Sequence, residues 1–156
     1  WVPPLLVDRR AALKLGVASV LTLRPQTDLE ATAKTSDPKV ARIAYGEREE
    51  QFGDLWLPGV PRDAPLPVVA LLHGGFWQHE YDLRLMDSIA AAVTAHDCAC
   101  WNIEYRRVGS KDGGGFPDTF ADVSAAVEWV GSPSARDMNL DARRLVVAGH
   151  SAGGTL

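Results

Sequence analysis

Near the end of this 156-residue chain, four apolar residues, Leu145, Val146, Val147 and Ala148, run straight into Gly149-His150-Ser151-Ala152-Gly153-Gly154. A β-branched run that breaks at a G-x-S-x-G pattern reads as a buried strand, a sharp turn carrying serine, and the first turn of a helix. Gly149 and Gly153 stand two before and two after the serine, where so tight a turn presses backbone on backbone and leaves no room for a side chain. The same turn frees the N–H of Ala152 at the positive end of a helix, facing the place where an oxygen would gain negative charge.

Composition narrows what such a turn would serve. A net charge of −4 with no block of one sign favours neither nucleic acid nor an anionic membrane surface as partner, and suits a small neutral substrate at least as well. Cys98 and Cys100 lie two apart in an apolar run, which in a strand puts both on one face, their Cα atoms too far apart for an easy bridge. Both read as core residues. They form no disulfide framework, and no metal-ligand spacing connects the four histidines. His150 immediately precedes the serine and projects away from it, a poor general base. His79 and His96 read as surface residues beside a helix.

Taken in order, residues 8–23 carry Arg9-Arg10 and Lys14 ahead of an uncharged run too short to span a bilayer,. That is the order of parts of a twin-arginine export signal, with Ala31-Thr32-Ala33 as a small-residue cleavage pattern,. A short amphipathic helix at the domain edge is the competing reading. On the first, residues 1–33 are signal and linker, residues 34–156 belong to the folded domain, and the protein is exported without a stable membrane span. The chain opens on Trp1 and stops about one turn past the serine,, so a piece of a longer protein is expected.

Residues 40–45 and 51–57 read as an antiparallel hairpin, followed by a proline-rich connection over 58–67,. Residues 68–72 form the continuous apolar run of a strand covered on both faces,. Leu85, Met86, Ile89 and Val93 predict a helix within 81–96, and residues 98–105 a further strand,. The loop 106–117 contains Gly113-Gly114-Gly115 but no phosphate-loop lysine and no dinucleotide spacing,. Phe120, Val123, Val127 and Val130 mark a second helix, with Thr119 and Asp122 as its capping box and Gly131 as its stop,. Residues 132–144 then return the chain to the strand before the serine. A hairpin followed by strand, helix, strand, helix, strand predicts an α/β fold with a mostly parallel sheet and an N-terminal antiparallel hairpin.

Directly after the first buried strand comes His73-Gly74-Gly75-Phe76-Trp77. Paired glycines at a strand's carboxyl end let the backbone turn its N–H groups toward the crevice where open α/β sheets bind ligands. With this second motif the chain resembles the α/β-hydrolases, specifically the HGG-type esterases. Among these it looks most like the kynurenine-formamidase-like (arylformamidase) branch, whose loop reads H-G-G-x-W. The matching text is His73 to Trp77, Tyr105-Arg106-Arg107-Val108-Gly109, Gly114 to Pro117, Phe120 to Val123 and Gly149 to Gly154.

The resemblance implies that Ser151 is the nucleophile of the elbow formed by Gly149 and Gly153. It implies too that the N–H groups of Gly75 or Phe76, with Ala152, hold the tetrahedral oxyanion, while Gly74 shapes the turn. His73 belongs to this loop and reads as its hydrogen-bonding brace. Phe76, Trp77 and Tyr105 stand near the crevice, as pocket lining or as core. The fold's order of serine, acid and histidine implies that the last two lie beyond residue 156. The implied chemistry is hydrolysis of a small carboxylic ester or aryl formamide through an acyl-enzyme, with neither metal nor organic cofactor. Two other readings stay open: a serine peptidase of the prolyl-oligopeptidase type, and a noncatalytic binding module on the same fold.

Overall fold

The computed structural model describes residues 37–156; the export-signal reading of residues 1–33 lies outside them. The expected hairpin is present: β1 (Lys39–Ala44) pairs antiparallel with β2 (Phe52–Leu57), Lys39 opposite Leu57 and Ala44 opposite Phe52. β3 (Leu66–Leu72), α1 (Asp87–Thr94), β4 (Ala99–Ile103), α2 (Asp118–Trp129), α3 (Pro133–Asp137), β5 (Leu140–Gly149) and α4 (Ala152–Thr155) follow. The sheet order is β1-β2-β4-β3-β5, with β3 parallel to both β4 and β5. The successive parallel strands β4 and β5 thus lie on opposite sides of β3. The chain leaves β3 toward β4 and then crosses back past β3 to β5, and such a reversal of strand order opens a crevice at the carboxyl ends of the strands, where ligands of open α/β sheets bind.

Alternate residues of the central strands feed two cores. On one side Val68, Ala70, Leu72, Trp101 and Ile103 pack with Val123, Ala126 and Val130 of the α2 region; on the other Leu71 and Cys100 pack with Met86 and Ala90. Trp101 anchors the larger cluster: its ring stacks on Trp129 at 4.4 Å and its Nε1 donates to the Ala126 carbonyl at 2.9 Å. Burial pushes the Cys100 thiol up to about 12, so it remains a small apolar group,.

Five local expectations are corrected. The first helix opens as a 3₁₀ turn, Leu83–Met86, capped by the Asp82 carboxylate accepting from the Arg84 N–H at 3.0 Å. Its buried face is Leu83, Met86, Ala90 and Thr94, while Leu85 and Ile89 are 50% and 44% exposed. Thr94 turns inward because its hydroxyl donates to the carbonyls of Ala90 and Ala91,. Thr119 and Asp122 do not cap α2, whose N-cap is Pro117 without a side-chain bond; both instead bind the loop before it. The connection after Gly131 contains α3, started by Ser132 Oγ accepting from the Ala135 N–H at 3.1 Å. Cys98 is half-buried ahead of β4 rather than within it, because the turn at Asp97 (φ 58°) ends only there.

Lastly, β5 is longer and more open than a buried strand. It begins at Leu140 with a register shift opposite Pro67/Val68, and, pairing on one side, it leaves Val146 and Val147 60% and 48% exposed.

Candidate active site

The two glycine motifs meet at the end of β3. The His150 N–H donates to the Leu72 carbonyl at 3.0 Å, fastening the end of β5 to that of β3. A Cβ on Gly153 would lie 2.2 Å from the Leu72 carbonyl oxygen and 2.6 Å from that of His73, and one on Gly149 would lie 2.3 Å from the Gly153 backbone. Glycine at both places lets α4 pass under the strand ends. A Cβ on Gly74 would come within 2.9 Å of the His150 carbonyl oxygen and 3.1 Å of Ser151 Cβ, so the 73–77 loop is in contact with the elbow itself.

Between them the backbone is held in sparsely populated conformations. Ser151 has φ 53° and ψ −116°, and Phe76 and Trp77 have φ 56° and 59°. Such residues cost of order 1–3 kcal/mol each and persist where surrounding contacts over-determine them. Ser151 is exposed, whereas Ala152 beneath it is buried. Among the described residues, the N–H groups of Gly75, Phe76 and Ala152 donate to no other backbone group.

Behind the loop lies a buried polar cluster. His73 is fully buried, its Nε2 2.9 Å from Glu104 Oε1 and its Nδ1 2.7 Å from the Gly74 carbonyl oxygen. Each ring nitrogen thus faces an oxygen, and the ring is held at both ends. Glu104 Oε1 also accepts from the Tyr105 N–H, and Oε2 from the Leu83 N–H, each at 3.0 Å. Arg107 Nε stands 3.5 Å from Glu104 Oε1, and its Nη1 donates to the carbonyls of His79 and Tyr81. The Tyr81 segment in turn covers Gly75, whose φ of 114° and missing Cβ are needed because that atom would fall 2.3 Å from Tyr81 Cβ.

Tyr105 does not line the crevice. It is fully buried, stacks on His73 at 4.3 Å and 7°, and donates its hydroxyl to the His73 carbonyl at 2.7 Å. Burial raises its phenol above the ordinary range, so the hydroxyl stays a donor,. Phe76, 73% exposed, stands at the mouth, and Trp77 is half-buried with its carbonyl accepting from the Val108 N–H at 2.8 Å.

A second ion pair ties down the glycine-rich 106–117 loop. The Asp122 carboxylate accepts from Arg106 Nη2 at 2.8 Å, Arg106 Nε at 2.9 Å, the Arg106 N–H at 3.0 Å and Gln51 Nε2 at 2.6 Å. Burial works against this carboxylate, and the hydrogen bonds from Arg106 and Gln51 more than reverse it, holding its pKa below the usual value,. Thr119 Oγ1 donates to the Arg106 carbonyl and accepts from the Gly115 N–H.

Among the described residues no hydrogen bond engages the Ser151 hydroxyl, and no cluster of His, Cys, Asp and Glu is arranged to hold a metal ion. His79, His96 and His150 are exposed. A groove of about 400 Å³ lined by Val123, Val127, Val147, Gly149, Gly153 and Leu156 runs behind the elbow rather than at Ser151. No described helix is long and apolar enough to cross a membrane. Sequence reasoning located the elbow and the His73 loop but missed Glu104, Arg107 and the Arg106–Asp122 pair. The available signal was a carboxylate directly after the apolar run of β4, one position beyond Ile103, which pairs with Leu72.

Known proteins share this fold and parts of its sequence. The family model BD-FAE matches residues 54–156. Esterase LipI of Mycobacterium tuberculosis (strain ATCC 25618 / H37Rv) is 34% identical over 102 residues, covering 65% of this chain and 30% of that protein. A solved bacterial heroin esterase superposes with a TM-score of 0.64 at 25% identity, over 78% of this chain and 38% of the other. Esterase B from Lactobacillus Rhamnosis (HN001) gives 0.67 at 23% identity over 77% and 38%, a likeness of fold. The chain spans about a third of the length of these relatives.

Proposed function

The chain belongs to the BD-FAE family, and from that premise we propose that it carries the nucleophile and oxyanion-hole part of a carboxylesterase. Ser151 Oγ attacks the carbonyl carbon of a small carboxylic ester. The carbonyl oxygen becomes an oxyanion facing the N–H groups of Ala152 and of Gly75 or Phe76; the alcohol leaves with a proton, and water hydrolyses the acyl-enzyme. The observation that carries this reading is the exposed serine at positive φ, pressed against a loop whose amides donate to no other backbone group.

The proton acceptor is not His73, because both of its ring nitrogens are engaged and it is buried. Serine without a base is a weak nucleophile at neutral pH. We therefore assign the base and its acid to a part of the full-length protein outside residues 37–156, in keeping with relatives that are about twice as long as this chain. The aryl formamide is the finer alternative substrate, sharing the acyl carbon chemistry with a nitrogen leaving group. The exposed Phe76 and the half-buried Trp77 at the end of the loop would offer an aromatic leaving group its contact surface.

The test uses the full-length protein. A fluorophosphonate probe should label the wild type and leave Ser151→Ala unlabelled, with p-nitrophenyl acetate turnover lost in the same variant. Hydrolysis of formanilide in addition would select the formamidase substrate class. Labelling with turnover of peptides and not of esters would assign a peptidase instead, and a wild type that refuses the label would make the fold a binding module.

A further inference from the structure

Gly75 owes its direction to its neighbour. Its N–H and the Gly74 carbonyl belong to one planar peptide unit, which is trans, so fixing the carbonyl fixes the N–H on the opposite side. Nothing in Gly74 or Gly75 themselves supplies that restraint: both must lack a Cβ to fit against the elbow and Tyr81, and two successive glycines leave the plane between them free to rotate.

The restraint comes from the loop's buried first residue and the cluster behind it. The Gly74 carbonyl receives His73 Nδ1 at 2.7 Å; the other end of the ring is held by Glu104 at 2.9 Å, and one ring face is covered by Tyr105 at 4.3 Å. Glu104 is itself fixed on both oxygens by the N–H groups of Leu83 and Tyr105, with Arg107 at 3.5 Å. Each link is buried, so water cannot substitute for a missing partner,.

We propose that Glu104 and His73 are positioning residues of the oxyanion hole: Glu104, acting through His73, holds the Gly74–Gly75 peptide so that the Gly75 N–H faces the crevice at Ser151. The inference rests on the function proposed above. It separates these two residues from the general packing of the core, because breaking the chain of contacts loosens one donor without removing the serine or the substrate-binding surface.

Two isosteric or near-isosteric breaks test it in the full-length protein, Glu104→Gln at one link and His73→Gln at the other, together with the double variant. Active sites are counted by fluorophosphonate titration, so that a poorly folded fraction does not enter kcat. Loss of a full oxyanion donor costs about a hundredfold or more, and a misdirected one should cost at least about tenfold in kcat. KM should stay near the wild-type value, and binding of a trifluoromethyl ketone should weaken in step with kcat. The double variant should be no worse than the poorer single one, as expected of residues acting in series.

Variants whose kcat per titrated site equals that of the wild type, with only the melting temperature lowered, would overturn the proposal and leave Glu104 and His73 as packing residues. Additive losses in the double variant would also overturn it. A wild type that takes no label at Ser151 would remove the esterase reading and this inference together, whereas a labelled, active wild type matched by its variants removes this inference alone.

Discussion

Gly153→Ala tests the way the elbow is fitted under the sheet. The new Cβ would lie 2.2 Å from the Leu72 carbonyl oxygen, 2.7 Å from its carbon and 2.6 Å from the His73 carbonyl oxygen. All three are backbone atoms, and ordinary contact begins at 3.4 Å, so something must move by roughly 1 Å. Leu72 cannot yield, because it is paired with Ile103 on one side and Gly149 on the other. The four-residue α4 must therefore retreat, carrying Ala152 and Ser151 with it.

Overpacking of this kind costs about 1–3 kcal/mol, which for a domain of moderate size lowers the melting temperature by about 2–12 °C. The displacement of reacting groups is the larger effect, since a misplacement of about 1 Å lowers turnover about a hundredfold. The assay is p-nitrophenyl ester hydrolysis per fluorophosphonate-titrated site, alongside thermal denaturation. Gly154→Ala provides the comparison: its Cβ meets the Gly149 carbonyl oxygen at 3.1 Å and the next atom only at 3.7 Å, so a small adjustment accommodates it. Equal turnover and stability in Gly153→Ala and wild type would refute the reasoning.

Further outcomes follow from other parts of the molecule. Asp122→Ala removes the nearest carboxylate from the Arg106 guanidinium, whose side chain is 11% exposed, leaving it Asp118 at 3.6 Å and the Asp112 carbonyl at 3.2 Å, and should cost about 1.5–3 kcal/mol at neutral pH. The Asp122 pKa is depressed in the fold, so its stabilisation is complete above the ordinary carboxylate range and fades as pH falls through the folded-state value. Urea melts at about pH 7 and about pH 3 should therefore show the gap between variant and wild type narrowing in acid, and a gap independent of pH would contradict the assignment. For residues 1–33 we propose export by the twin-arginine route. Replacing Arg9 and Arg10 with lysine should leave the protein in the cytoplasmic fraction, and unchanged fractionation rejects the signal.

The parts of this fold legible in the sequence are those where steric demand and periodicity coincide. Val68 to Leu72 is apolar at every position because both faces of β3 are covered, and Gly149 and Gly153 are spelled by backbone contacts that admit no other residue. The face of α1 was not legible: Leu85 and Ile89 carry the hydrophobic signal, but the 3₁₀ entry and the self-satisfied Thr94 hydroxyl turn a different face inward. Thr119 and Asp122 have the spacing of a cap and are used for a loop instead, because Arg106 donates three hydrogen bonds to the Asp122 carboxylate, two of them from its guanidinium,. Glu104 and His73 stand 31 residues apart and meet through strand order alone. No local pattern records such a meeting.

The register shift in β5 has its own consequence. Leu140 and Asp141 pair with Leu66 and Pro67, then Ala142, Arg143 and Arg144 are passed over before Leu145 resumes opposite Val68. Asp141 closes the excursion by accepting from both arginines. The segment behaves as an expansion joint: residues added or lost there change the size of a solvent-facing kink, while the stretch from Leu145 to Gly149 keeps its own alignment with β3. Length variation before the joint is thereby uncoupled from where the serine comes to rest.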